Sequence, residues 1–280
     1  MEKINPSELS SHVQKLPALS SIVAELLTTI DQEDVDVDVI AKKIGHDQAL
    51  TVKTLRLANS SFYGMQHQIS SIREAITILG FKNVRMMIAT SAITASFQIT
   101  KIKHFSFPSF WQHSIGAAIC AREIAGYARY NQEFAFIGGL IHDIGKLVLV
   151  TKYPLQYEYA LEYQLQHQCD AMVAERETLG LDHSEIGSAV LQHWNFPQEM
   201  QIAVAELYCN DDMPVSRLAG IIHLADIFSL ALDFANDDNA FIPVISPKVW
   251  GEIKLDEAAC KKMFTSSVNK FKEMSQILIS

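Results

Sequence analysis

One short segment of the chain combines side chains that could bind a metal ion and a phosphate group. It reads GGLIHDIGKL, with His142 and Asp143 adjacent and Lys146 three residues later. Neighbouring residues of a regular helix point about 100° apart, so both ligands reach one ion only where the helix turns or ends. The glycines at 138, 139 and 145 are consistent with such an end and with close packing. An imidazole with a carboxylate suits Fe, Mn, Zn or Mg. Lys146 could meet a phosphate as a point charge, although a solvated charge at a helix end is the simpler interpretation.

Two further side chains complete a candidate ligand set. His113 lies 29 residues upstream of that histidine, the distance of a helix, a turn and a second helix. Asp226 lies in the apolar segment 218–232, where a carboxylate is costly unless it is paired or bound to a metal. The alternatives are a hydrogen-bonded core histidine at 113 and, for Asp226, a helix cap or an ion pair with Arg217 or Lys146.

Three other histidines are weaker candidates. His183, in LDHSEIG, could be a further ligand, but its neighbours also fit the start of a helix. His193 precedes a tryptophan and is interpreted as a packing or surface residue. His223 lies one helical turn before Asp226 on the same face. It could orient that carboxylate, although burial alone would explain it equally well.

Helical patterns dominate the sequence that must position these residues. Apolar side chains recur at helical spacing and strand patterns are nearly absent, so we predict an all-α fold. Asn59, Ser60 and Ser61 are interpreted as a chain reversal, with contact to a partner as the alternative. The predicted helices cover residues 19–30, 36–45, 47–58, 72–79, 81–97, 109–130, 132–142, 154–167, 169–178, 183–194, 197–208, 214–232 and 256–278.

The segment KIKHFSFPSF at 101–110 is the best candidate for a domain boundary, because it places a proline and polar residues between two long helical stretches. We therefore expect an N-terminal helical subdomain at 1–104, a second helical subdomain with the candidate ligands at 105–235, and a tail at 236–280. The tail ends in a helix with an apolar stripe. This stripe could pack on the rest of the chain or pair with a second copy.

Composition excludes several classes of partner and compartment. The chain has 280 residues and a net charge of −9. It has no basic run, which argues against binding to nucleic acid or to an anionic membrane. The four cysteines occur singly, so neither a zinc ribbon nor a disulfide scaffold is expected. The N-terminus lacks the apolar core of a signal peptide. The longest uncharged apolar stretch, Met86 to Thr100, has 15 residues and is too short to span a bilayer. These observations predict a cytoplasmic protein.

Several motifs, taken with the order of the candidate ligands, resemble those of a known family. The order His113, His142-Asp143, Asp226 is similar to that of the HD superfamily of metal-dependent phosphohydrolases. The finer resemblance, over about residues 10 to 235, is to the HDOD family, the HD-related output domain. It rests on LPALSSIVAELL (16–27), DQALTVKTLRLANSSFYG (47–64), ISSIREAITILGFKNVRMMI (69–88), FWQHSIGAA (110–118), GGLIHDIGKLVL (138–149) and LDHSEIGSAVLQHWNFP (181–197).

The resemblance implies a multi-helix HD-domain-like bundle and a role as a signalling or output module. It implies metal ligation by His113, His142, Asp143 and Asp226. The related HD-GYP phosphodiesterases add a histidine that matches His183. They also have a His-His pair where this chain has Leu207-Tyr208, and a GYP tripeptide that is absent here.

We therefore expect one divalent ion rather than a complete second site. The expected function is regulation through contacts with a signalling protein or a small signalling molecule, with a homodimer as an open option. The alternative is a metal-dependent phosphohydrolase acting on nucleotides, with Lys146 as the catalytic residue. The sequence leaves open whether the chain is an enzyme.

Overall fold

The helical spacing of apolar residues and the helix-capping residues in the sequence agree with the helical architecture seen in a computed structural model of the protein. The structure describes residues 3–19, 23–25, 37–45, 51–52, 54–55, 59, 68–81, 84, 88, 92–93, 96–97, 101–207, 216–237 and 240–279. In this part of the chain there are thirteen helices and no strand, so the predicted all-α class is confirmed. The helices are α1 Pro6–Gln14, α2 Val37–Gly45, α3 Ile72–Leu79, α4 Phe107–Tyr127, α5 Gln132–Ile141, α6 Ile144–Lys152, α7 Pro154–His167, α8 Ala171–Leu179, α9 His183–His193, α10 Gln198–Ala205, α11 Arg217–Ala231, α12 Pro247–Ile253 and α13 Glu257–Ile279.

Several predicted helices have the expected bounds, and three helices were not predicted. α3 begins and ends as predicted, capped by Ser71 and followed by Gly80 with φ of 82°. The unpredicted helices are α1, α6 and α12. The predicted helices over 19–30, 47–58 and 81–97 lie mostly outside the described residues, as do Ser60 and Ser61. The Asn59 amide accepts a hydrogen bond from the Ile69 N–H at 2.7 Å and donates to the Ile69 carbonyl at 2.8 Å, as a structural turn residue would.

Contacts divide the chain into two compact units, one formed by 1–16 with 98–272 and the other by 17–97 with 273–280. The limits differ from those expected from composition. The first residues join the larger unit because the Ile4 N–H bonds the Leu179 carbonyl at 2.9 Å, and because α1 packs on α9. In the smaller unit, α2 packs on α3.

The core of the larger unit is built around α4, which packs on both α5 and α11. α6 packs on α9, and α7 packs on α8. One described stretch, Gln132–Lys152, is long and apolar enough to cross a membrane by length and composition. It comprises α5 and α6 and is mostly buried within the protein, as core helices are.

The tail packs back on the larger unit over residues 247–272. α12 packs on α11. The Phe264 ring of α13 meets Phe228 edge-on at 5.0 Å, and Phe271 stacks on Phe234 at 4.2 Å. Lys270 forms an ion pair with Glu123 of α4. α13 therefore supports the two helices that carry His113 and Asp226. The side chains of Met274, Ile277 and Leu278, part of the predicted stripe, lie outside the described set.

Candidate metal centre

The predicted ligands His113, His142 and Asp226 converge on one buried point. The Nε2 atoms of the two histidines are 3.3 Å apart. Asp226 Oδ1 lies 2.9 Å from His113 Nε2 and 3.5 Å from His142 Nε2. The three residues come from α4, the end of α5 and α11. Packing of three helices therefore brings together side chains that are far apart in the sequence.

Asp143 joins this cluster from the start of α6. Its Oδ2 lies 3.6 Å from His113 Nε2, and its Oδ1 lies 3.5 Å from His142 Nε2. The ammonium group of Lys146 lies 2.6 Å from Asp143 Oδ2 and donates a hydrogen bond to it. α5 ends at Ile141 and α6 begins at Ile144, so the break expected at this pair is present. The break lets both neighbouring side chains point at the same spot.

The spacing of these atoms suits a cation. Ligands that bind a metal at about 2.0–2.2 Å lie about 3.0–3.5 Å from one another in octahedral or tetrahedral geometry. The measured separations run from 2.9 to 3.6 Å. His142 Nδ1 lies 2.7 Å from the Gly139 carbonyl and donates to it, which leaves a lone pair on Nε2. Asp143 Oδ1 is buried and has no hydrogen-bond partner. A metal ion would satisfy it, so the residues present fit a divalent ion.

The electrostatics of the cluster favour ionised carboxylates. Burial by itself raises the pKa of Asp143, but the charges of His142 and Lys146 outweigh it and lower that pKa below the usual range. Burial acts likewise on Asp226, but its interactions with the imidazoles of His113 and His142 outweigh burial and lower its pKa well below the ordinary value. Burial lowers the pKa of His142, but the charges of Asp143 and Asp226 outweigh it and raise that pKa. Two buried negative charges therefore face one point, which is costly unless cations compensate them.

His183 contacts Asp143 from the start of α9. Its Nε2 is 3.3 Å from Asp143 Oδ1, and its side chain is 1% exposed. Its Nδ1 faces Glu175 Oε2 at 2.7 Å, and the same oxygen accepts the His183 backbone N–H at 2.8 Å. The Asp182 side chain caps α9 by accepting the N–H groups of Ser184 and Glu185. His183 begins a helix, which is one of the two roles weighed in the sequence, and its imidazole faces Asp143. Its role as a further metal ligand stays a prediction.

Glu175 was missed by sequence reasoning. It lies in AMVAERETL, which resembles a solvated helix, yet it is 2% exposed. Its only sequence signal is its position eight residues before His183. Ser229 was missed as well. Its hydroxyl donates to the His113 carbonyl at 3.0 Å and so links α11 to α4.

Replacing Glu175 with alanine is expected to destabilise the protein and to loosen His183. The change leaves a buried N–H and the imidazole without their acceptor, which costs about 2–4 kcal/mol for two donors. Removing an orienting carboxylate also weakens metal binding about 10–100-fold where the histidine is a ligand. Urea unfolding and metal titration measure the two effects. Glu177→Ala, on the exposed side of the same helix, is the matched control, and equal effects of the two variants would contradict this role.

Two close helix contacts set the geometry of the centre. A Cβ added to Gly139 would lie 2.8 Å from the Ala117 carbonyl oxygen, so α5 can approach α4 only with glycine there. A Cβ added to Gly145 would overlap the carbonyl group of His183 and lie 2.9 Å from the Gly187 nitrogen. Gly145 therefore lies inside α6 and permits contact with α9, rather than ending a helix.

The remaining candidates lie outside the cluster. His193 Nε2 contacts the Leu16 carbonyl at 3.1 Å, a packing role as predicted. His223 Nε2 faces the Ser246 backbone nitrogen at 3.5 Å. Arg217, weighed as an ion-pair partner of Asp226, donates to the Ala128 carbonyl.

A pocket of about 450 Å³ opens onto the cluster, lined by His113, Asp143, Lys146 and Asp226 among other residues. The Lys146 side chain is 20% exposed. The pocket and its walls could not be read from the sequence, because the lining residues come from segments that are far apart in the chain: α4 and the residues before it, α6, α7, the start of α8, α11 and the loop after α11. The candidate centre is therefore accessible to a small molecule.

Comparisons with known proteins agree with this architecture. The family model described as HDOD domain matches residues 16–208. An uncharacterized protein of Treponema pallidum (strain Nichols) is 25% identical over 194 residues, which are 69% of this chain and 37% of that protein. The chain thus spans little more than a third of this curated relative's length.

Solved structures resemble the chain over nearly all of its length. An HDOD domain protein with unknown function from Geobacter sulfurreducens has a TM-score of 0.75 at 21% identity, covering 99% of this chain and 100% of that one. A "Putative phosphohydrolase" from Shewanella amazonensis SB2B has a TM-score of 0.71 at 26% identity, covering 96% and 97%. A "Putative signal transduction protein" from Marinobacter aquaeolei VT8 has a TM-score of 0.81 at 19% identity, covering 98% and 65%. The fold and the order of the ligand-type residues agree with the family match over residues 16–208. The chain therefore belongs to the HDOD family.

Proposed function

We propose that this chain is a regulatory module of signal transduction that holds one divalent metal ion at His113, His142, Asp143 and Asp226. The observation that carries the proposal is the convergence of these side chains, with contacts of 2.9 to 3.6 Å at one buried point. Ligands from distant helices couple metal binding to folding. The ion would lock α4, α6 and α11 in one arrangement, and the pocket or a protein surface would transmit the signal. We propose that the protein performs this regulatory role in the cytoplasm.

The surroundings of Asp143 support one ion rather than two. A second ion beside His183 would share Asp143 with the first. The Lys146 ammonium already lies 2.6 Å from Asp143 Oδ2, so another dication nearby would meet like charge. Leu207, which takes the place of a histidine in HD-GYP proteins, is apolar and buried. These features favour a structural and regulatory ion.

A second candidate function, phosphoester hydrolysis, is favoured by the pocket that reaches Asp143, Lys146 and Asp226. The Shewanella protein, 26% identical, is named a "Putative phosphohydrolase". A bound divalent ion lowers the pKa of a water ligand, which makes it a nucleophile toward phosphorus. Lys146 would stabilise negative charge that develops on the phosphoryl oxygens.

One set of measurements separates the two functions. The protein is stripped with a chelator, titrated with Mn²⁺, Fe²⁺, Zn²⁺ and Mg²⁺ by calorimetry, and assayed with a panel of nucleotides and aryl phosphates. Stoichiometric binding of one ion with no turnover supports the regulatory module. Metal-dependent hydrolysis that disappears in His142→Ala supports the phosphohydrolase. If none of the ions binds, both functions are refuted.

A further inference from the structure

The pocket beside the candidate metal centre is lined by chemically different groups. Its inner end holds the potential ligands Asp143 and Asp226 together with Lys146. One buried polar atom of these residues, Asp143 Oδ1, has no hydrogen-bond partner. With a metal bound, as the proposed function requires, this end would attract one anionic group.

Aromatic side chains form a wall of the pocket. The Phe105 ring lies 5.9 Å from Phe110 and 6.2 Å from Tyr157, in tilted and edge-on arrangements. Phe110 and Tyr157 are buried, which holds the wall in place. Phe241 lines the pocket and is 37% exposed. Such a wall suits a flat, apolar body, because aromatic faces pack well against one another.

Outside the inner end, the described lining has two carboxylates and no lysine or arginine. Asp170 and Asp237 line the pocket, and Lys146 is the single lysine or arginine among its described lining residues. The Lys146 ammonium is already bonded to Asp143. His104 is the other basic-type side chain of the lining besides His113. A second anionic group beyond the inner end would therefore meet carboxylates and find no free lysine or arginine in the described lining.

We propose that this pocket binds a small molecule with a single anionic head and a flat, uncharged or cationic body, and that Asp170 and Asp237 exclude ligands with a second negative charge. The inference rests on the proposed metal-binding function. The head would lie at the inner end, the body against Phe105 and Phe110, and the far end near the two acidic side chains. By this charge pattern, polyphosphates and dinucleotides are poor ligands.

Three non-hydrolysable probes test the charge rule on the full-length, Mn²⁺-loaded protein at pH 8. They are phenylphosphonate, 4-(aminomethyl)phenylphosphonate and 4-carboxyphenylphosphonate, and their affinities are measured by calorimetry. We expect the carboxylate to weaken binding about tenfold or more relative to phenylphosphonate, because like charges face each other. The aminomethyl group is expected to maintain or improve binding. Equal affinity for all three probes, or no binding of any, overturns the inference.

Two double variants test whether Asp170 and Asp237 cause the weaker binding of the carboxylate probe. Asp170→Asn with Asp237→Asn is expected to reduce the penalty of the carboxylate to about threefold or less and to leave metal binding unchanged. Asparagine can keep the cap that Asp170 makes with the Met172 N–H. Glu252→Gln with Asp256→Asn is the control, since it removes the same charge at exposed positions outside the pocket lining, and Asp256 also caps a helix.

Metal content, measured in parallel, separates the two levels of failure. If metal binds and the Asp170/Asp237 variant discriminates as strongly as the native protein, this inference is refuted and the proposed metal function stands. If no metal binds, the proposed function is refuted and this inference is refuted with it.

Discussion

Saturation with a divalent ion is expected to raise the Tm of the metal-free protein by about 10 °C. An ion at 1,000 times its Kd stabilises the folded state by about 4 kcal/mol, and each kcal/mol is worth about 2–4 °C in a protein of this size. Asp226→Asn is expected to abolish this rise, because the amide removes a charged ligand 2.9 Å from His113 Nε2. Differential scanning calorimetry with and without chelator measures the shift.

For each variant, the Tm with metal is compared with the Tm of the same variant without metal. Any loss of stability caused by the substitution itself therefore cancels. His167→Ala is the matched control, since this exposed histidine lies outside the ligand cluster. Its Nδ1 donates to the Tyr163 carbonyl, and its ring stacks on the Tyr163 ring at 3.8 Å. It should show the same metal-dependent rise as the native protein. A full rise in Asp226→Asn would mean that the stabilising ion binds elsewhere.

Replacing Gly145 with alanine is expected to cost about 3 kcal/mol or more, at the upper end of what overpacking costs. The added Cβ would overlap the His183 carbonyl group, which belongs to the backbone and cannot rotate away. α6 and α9 must then separate, which moves Asp143 away from His183. A fall in Tm of about 6–12 °C follows for a protein of this size, and metal affinity falls with it.

Gly251→Ala is the control for this change. It lies in α12, and a Cβ there meets nothing within 4 Å. Alanine at an exposed helical position is expected to be neutral or to stabilise by up to about 1 kcal/mol. Urea unfolding of both variants measures the difference. A Gly145→Ala variant as stable as the native protein would mean that the two helices do not approach this closely.

Both predictions link the close packing of helices to metal binding. Gly139 and Gly145 bring α5 to α4 and α6 to α9. These two helix contacts place His142, Asp143 and His183 close to the cluster that contains His113 and Asp226. A change that separates the helices therefore weakens the site without touching a ligand, and removing the ion weakens the packing.

Local patterns in the sequence were sufficient for the fold class and for the candidate ligands. Helical periodicity predicted the all-α class, because the recurrence of apolar residues is a property of the chain itself. Asp226 stood out as a carboxylate in an apolar helix, since burying it requires a partner. The paired His142 and Asp143, with the family motifs around them, indicated where the partners would be.

Tertiary structure alone decided the rest. Glu175 has the local sequence of a solvated helix, yet it is buried and its carboxylate contacts the backbone N–H and the imidazole of His183. Gly145 resembled a helix terminator, but the nearby His183 carbonyl explains why no side chain fits there. The pocket and its acidic lining combine segments that are far apart in the chain. Periodicity and motifs report each residue's neighbours along the chain, whereas burial, close approach and the charge around a site depend on neighbours in space.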